Sequence, residues 1–183
     1  MIALGAWGWA HPGWVGSFYP EDLPEAWRLT FYSNEYEAVG LRAADWLAPD
    51  PDILRGWVDD TREGFRFVLE LPEGLPADVE TRLAILKPRL GALLSGNGDA
   101  SGLERFAPVW PVTRASHDLV EALEVDRLPL VLLATDKIDL RAARLALESL
   151  GKGGDALILL DEGPDMLARL NELRTLRDLL GWQ

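Results

Sequence analysis

Short apolar runs alternate along this chain with segments whose apolar positions recur at helical spacing. The runs predict strands at Ile2 to Trp7, Glu37 to Leu41, Phe65 to Leu71, Leu90 to Leu94, Val109 to Thr113, Leu128 to Leu133 and Ala156 to Leu160. Between them the pattern predicts helices. The first opens at Leu23-Pro24 with Glu25 and runs to about Ser33, because a proline near a helix start gives up no needed amide and an acidic first turn suits the dipole. Pro51 to Thr61 places Ile53, Leu54, Trp57 and Val58 on one face, and Gly64 stops it. Val79 to Leu86, Leu140 to Leu150 and Pro164 to Leu180 follow, the last two closed by Gly151 and Gly181. This alternation predicts an α/β architecture with parallel strands. The pattern weakens from Asp99 to Val125, where Asp118 to Leu123 is a short helix at most.

One loop stands apart in composition. Gly8 to Pro20 reads GWAHPGWVGSFYP and gathers Trp9, His11, Trp14, Phe18 and Tyr19 between glycines. Loops carry function more often than cores, so large aromatics with polar tips suggest a ligand surface. The alternative is that Trp9, Trp14, Phe18 and Tyr19 fold inward as a lid over the core. The second Gly-rich stretch, Ser95-Gly96-Asn97-Gly98, lacks the Lys-Ser/Thr of a phosphate-binding loop and the glycine spacing of a dinucleotide site, and reads as a turn.

With 183 residues, one domain with a full core is expected. The absence of cysteine excludes disulfides, thiolate metal sites and a cysteine nucleophile. A formal net charge of -12 repels phosphodiester backbones, so no nucleic-acid partner is expected, and the acidity serves solubility. No apolar run approaches the roughly 20 residues that span a bilayer, and no basic segment precedes an apolar one at the N-terminus. The expectation is a soluble cytoplasmic protein with no membrane partner.

The series Gly5, Gly8-Trp9-Ala10-His11, Trp14, Gly16, Phe18-Tyr19-Pro20, then Trp27, Tyr32, Trp57 and Gly64-Phe65-x-Phe67, resembles the N-terminal half of the YecE-like family, domain of unknown function family seventy-two. The resemblance is strongest over about the first seventy residues, and element order extends it over most of the chain. It implies a TIM-barrel-like fold and leaves the biochemical role open. Sites on such folds lie at the carboxyl ends of the strands, which places the Trp9 to Tyr19 loop, Arg42, Glu70, Asp136 and Asp161 at one mouth.

The chain departs from the family pattern at polar positions. Where the family has Val-Glu-Ile-Asn and a Phe-Tyr pair, it reads Val39-Gly40-Leu41-Arg42 and Ala43-Ala44-Asp45-Trp46. Glu70-Leu71-Pro72 stands where a Lys is usual, and no Thr-His follows. A complete (β/α)₈ barrel takes about 200 residues or more. Seven strands in 183 residues imply a barrel shortened by about one βα unit, with edges to be covered, and a homodimer is expected to cover them.

The candidate ligand-binding residues are Trp9, His11, Trp14, Tyr19, Arg42, Asp136 and Asp161. A guanidinium at Arg42 suits a carboxylate or phosphate, with Trp46 and the loop indoles against its apolar part; a salt bridge to Asp45 or Glu70 is the plainer role. Asp136 and Asp161 follow strands and suit acid/base work, while helix capping is the favoured account of such carboxylates. His11 and His117 lack metal-ligand spacing, so neither a metal nor a cofactor is expected. Ser95, Ser101 and Ser116 have no nucleophile-elbow context. No catalytic residue is assigned. Two functions remain: an enzyme or binder that takes a small anionic or amphipathic molecule at the mouth, with Asp136 or Asp161 as acid/base if it is an enzyme, or a degenerate, non-catalytic relative serving protein association.

Overall fold

A computed structural model of the chain describes residues 2–96, 100–111, 130–133, 155–163 and 165–182, with 141, 144, 145, 147 and 148. Its strands are β1 (Ile2–Trp7), β2 (Ala38–Leu41), β3 (Arg66–Glu70), β4 (Leu90–Ser95), β5 (Val109–Pro111), β6 (Leu130–Leu133) and β7 (Ala156–Leu160). Its helices are α1 (Arg28–Glu35), α2 (Ala43–Leu47), α3 (Pro51–Asp59), α4 (Val79–Leu86) and α5 (Met166–Leu179). β1, β2 and β7 are buried along their whole length, as strands covered on both faces must be.

The contacts divide the chain into two compact units, one of residues Gly8–Thr113 and one of Met1–Trp7 with Arg114–Gln183. In the first, β2, β3, β4 and β5 pair in that order, all parallel. Val39 lies opposite Phe67 and Leu41 opposite Leu69. Phe67 turns to α3, where its ring lies 6.1 Å from that of Trp57. Side chains alternate along a strand, so Val68 and Glu70 take the other face. The β3–β4 register slips between Phe67, opposite Leu90, and Val68, opposite Ala92, which leaves Gly91 as the extra residue. A Cβ there would stand 3.0 Å from the Cβ of Arg66, so the position favours glycine.

In the second unit β7 pairs with β1 and with β6, again parallel. α5 buries Met166, Leu170, Leu173 and Arg177, a stripe at helical spacing. Arg177 is 5% exposed and donates from Nη1 to the Ile2 carbonyl at 3.0 Å, while the Ile2 amide donates to the Trp182 carbonyl at 3.1 Å. These bonds clasp the end of α5 to the start of β1.

One expectation is refined and one element is added. The helix opened by Pro24 begins as a 3-10 turn, Glu25–Trp27, because the Trp27 amide bonds the Pro24 carbonyl three residues back, and the α-helix starts at Arg28. α2 was not expected, being one turn too short to show a period. The predicted helix at Asp118 to Leu123 and much of Leu140 to Leu150 lie outside the described residues. No described helix is long and apolar enough to cross a membrane.

Candidate functional site

The aromatic loop starts at Gly8, whose φ of 69° reverses the chain after β1 and whose amide donates to the Gly40 carbonyl of β2 at 2.8 Å. A 3-10 turn, Pro12–Trp14, follows, and the loop then winds about the Trp14 carbonyl, which accepts from the amides of Phe18 at 2.8 Å and Tyr19 at 2.9 Å. Trp14 and Tyr19 are buried, at 6% and 1% exposure. The Trp14 ring stacks on Tyr32 of α1 at 6.1 Å, and Phe18 meets Phe31 at 5.3 Å and Tyr36 at 5.7 Å. The inward arrangement therefore describes Trp14 and Tyr19, which pack with α1.

Trp9 and His11 are half-buried. The Trp9 indole meets Trp57 edge to face at 5.0 Å, and its carbonyl accepts the Tyr19 hydroxyl at 2.5 Å. The His11 ring lies 4.4 Å from Trp14. Burial pushes the Tyr19 phenol well above its ordinary range, and Arg28, 5.8 Å above the ring, opposes that only in part.

At the carboxyl ends of β2 and β3 sit Arg42 and Glu70. Arg42 Nη1 donates to Glu70 Oε2 at 3.3 Å, with the two side chains 42% and 30% exposed. The Arg42 backbone also starts α2, its amide donating to Asp45 Oδ2 at 3.2 Å and its carbonyl accepting the Asp45 amide at 2.9 Å. Beneath the same strand end the buried Trp46 indole donates to the Glu70 carbonyl at 2.9 Å. Two strands therefore present one cation and one anion side by side, and α2 fixes the backbone of the first.

Asp161 follows β7 in the other unit, half-buried, and its Oδ1 accepts the Glu162 amide at 2.9 Å. Asp136 and His117 lie outside the described residues. Among the described residues no group of three or more His, Asp or Glu side chains could hold a metal ion.

The model of a family described as "Protein of unknown function DUF72" matches residues 3–106, more than half of the chain. The chain belongs to the DUF72 family. It is 25% identical over 103 residues to the UPF0759 protein YecE of Escherichia coli K12, and equally to that of strain O157:H7. The match takes in 50% of this chain and 35% of each relative, so the chain spans about a third of the length of the curated relatives it matches. Two solved DUF72 proteins share its fold. One from Thermotoga maritima superposes with a TM-score of 0.58 at 15% identity, over 99% of both chains. One from Enterococcus faecalis gives 0.60 at 14% identity, over 97% of this chain and 96% of the other. The DUF72 chain thus has a TIM-barrel-like α/β fold, incomplete relative to a full barrel.

Within this fold one polar group was not singled out from the sequence. Trp110 of β5 is 1% exposed, and among the described residues its indole Nε1 has no hydrogen-bond partner. The local signal is a tryptophan in a three-residue strand that follows Pro108 and ends on Pro111.

Proposed function

We propose that this DUF72 chain binds a small anionic molecule at the carboxyl ends of β2 and β3, with Arg42 as its anchor. The Arg42–Glu70 pair carries the reading. The pair, at 3.3 Å, joins partly exposed groups, and pairs of that kind contribute no more than about 1 kcal/mol. A carboxylate or phosphate that takes two guanidinium N–H groups at once makes stronger, charge-assisted bonds, so such a ligand competes with Glu70 for the guanidinium. Sites on barrel folds lie at these strand ends. Trp9 and His11 supply an apolar margin suited to an amphipathic ligand, and Trp14 and Tyr19 hold those two in place.

The test is a calorimetric and thermal-shift panel of small carboxylates and inorganic phosphate against the wild type and Arg42→Ala. Binding should weaken by roughly 10- to 150-fold in the variant, the worth of a hydrogen bond to a charged group, with the melting temperature nearly unchanged. If no anion raises the melting temperature, or if Arg42→Ala leaves affinity unchanged, the proposal fails.

A second reading, protein association, is favoured by Trp27, whose side chain is 65% exposed just past the aromatic loop. A concentration-dependent dimer in analytical ultracentrifugation, abolished by Trp27→Ser, is its expected signature; a monomer at all concentrations rules out a homodimer.

A further inference from the structure

A buried donor left without an acceptor costs about 1 to 3 kcal/mol, and native chains keep few of them. Among the described residues Trp110 Nε1 finds no acceptor. Trp46 provides the contrast, since its equally buried indole donates to the Glu70 carbonyl.

The strand register gives the face on which Trp110 stands. Glu70 lies opposite Leu94, and Leu94 opposite Trp110, so these three side chains project from one face of β3, β4 and β5. Phe67, an odd number of residues before Glu70, takes the opposite face against Trp57 of α3. Trp110 therefore shares the face that carries Glu70 and, through Glu70, the Arg42 guanidinium. Neighbouring strands lie about 4.8 Å apart, which puts β5 about 10 Å from β3 with Leu94 between them on that face, so a small molecule that reaches both Glu70 and Trp110 lies over Leu94.

We infer that the Trp110 indole N–H is a second donor of the anion site, and that the ligand is a small carboxylate that also carries a hydroxyl group. This rests on the reading of Arg42 as the anion's anchor. Arg42 and Trp110 offer only donors, which match the two oxygens of a carboxylate. Glu70 offers only acceptors, which match a hydroxyl hydrogen. A carboxylate without a hydroxyl displaces Glu70 from Arg42 and gives it nothing in return; a hydroxy acid satisfies all three groups. Nε1 is shielded from solvent, so binding displaces what covers it, and the indole resonance reports that event.

The experiment is a proton–nitrogen correlation titration of the full chain with glycolate and malate, with acetate, succinate and inorganic phosphate as comparators. The chain has eight tryptophans, and Trp110→Phe identifies the Trp110 indole peak by its loss. Both hydroxy acids should move that peak saturably and bind at least tenfold more tightly than their comparators. Trp110→Phe should weaken hydroxy-acid binding about 3- to 10-fold and leave the Arg42 dependence in place. If hydroxy acids bind in an Arg42-dependent way while the Trp110 peak stays still, the inference is wrong and the anion reading stands. If no probe moves any resonance, both fall. Should Trp110→Phe not fold, triple-resonance assignment of the wild type identifies the peak and the titration decides alone.

Discussion

Replacing Tyr19 by Phe removes one oxygen from the centre of the aromatic loop and leaves the ring in place. The ring keeps its neighbours, Phe18 at 4.7 Å, Phe31 at 5.7 Å and Trp14 at 6.1 Å. The hydroxyl's bond to the Trp9 carbonyl is lost, and at neutral pH that should lower stability by about 1 to 2 kcal/mol. The same hydroxyl gives a pH signature. Burial favours the neutral phenol in the fold, whereas an unfolded tyrosine ionises near pH 10. Below that pH both states hold the proton, and the contribution of Tyr19 is complete. Above it the unfolded chain releases a proton that the folded chain retains, so stability falls by up to about 1.4 kcal/mol per pH unit. Phenylalanine has no proton to release. The advantage of the wild type over Tyr19→Phe should therefore shrink by about 1.4 kcal/mol between pH 7 and pH 11. Urea unfolding of both proteins across that range, followed by tryptophan fluorescence, measures it. An advantage that stays constant with pH, or its absence at pH 7, would refute the buried, bonded phenol.

Arg177→Met keeps the apolar stem and loses the bond to the Ile2 carbonyl; it should cost about 1.5 to 3 kcal/mol and lower the melting temperature by about 3 to 12 °C in a thermal scan. Gly91→Ala sets a methyl 3.0 Å from the Arg66 Cβ and 3.5 Å from the Phe67 carbonyl, and chemical denaturation should show a loss of about 1 to 3 kcal/mol. Gly8→Ala forces a side chain into a left-handed backbone at φ 69° and should destabilise by about 1 to 2 kcal/mol, while Gly8→Asn loses less. Equal stability of the alanine and asparagine variants would contradict that backbone argument.

β1 and β7 have the predicted boundaries, because a strand covered on both faces is a continuous apolar run. α4 has them too, on a periodic pattern that buries Val79, Leu83 and Leu86 and leaves Glu80, Thr81 and Ala84 exposed. α2 escaped because five residues make little more than one turn; its signal is Asp45, three residues past Arg42 and bonded to its amide. Nothing in the aromatic loop says which way it turns. That is decided by Phe31 and Tyr32 of α1 and by Tyr36 just after it, which offer Trp14 and Phe18 their ring partners. Arg42 and Glu70 were both legible as strand-end residues, but their pairing depends on the register that sets Leu41 opposite Leu69, a long-range fact. Trp110 was hidden for the same reason, since only its register with Leu94 gives it the face of Glu70.

The claim that a small anion binds at Arg42 is tested most directly by a crystal structure of the chain grown with malate. The account predicts a ligand carboxylate on the Arg42 guanidinium, in the place that Glu70 Oε2 holds at 3.3 Å. An Arg42–Glu70 pair left intact, with malate bound elsewhere, would contradict it.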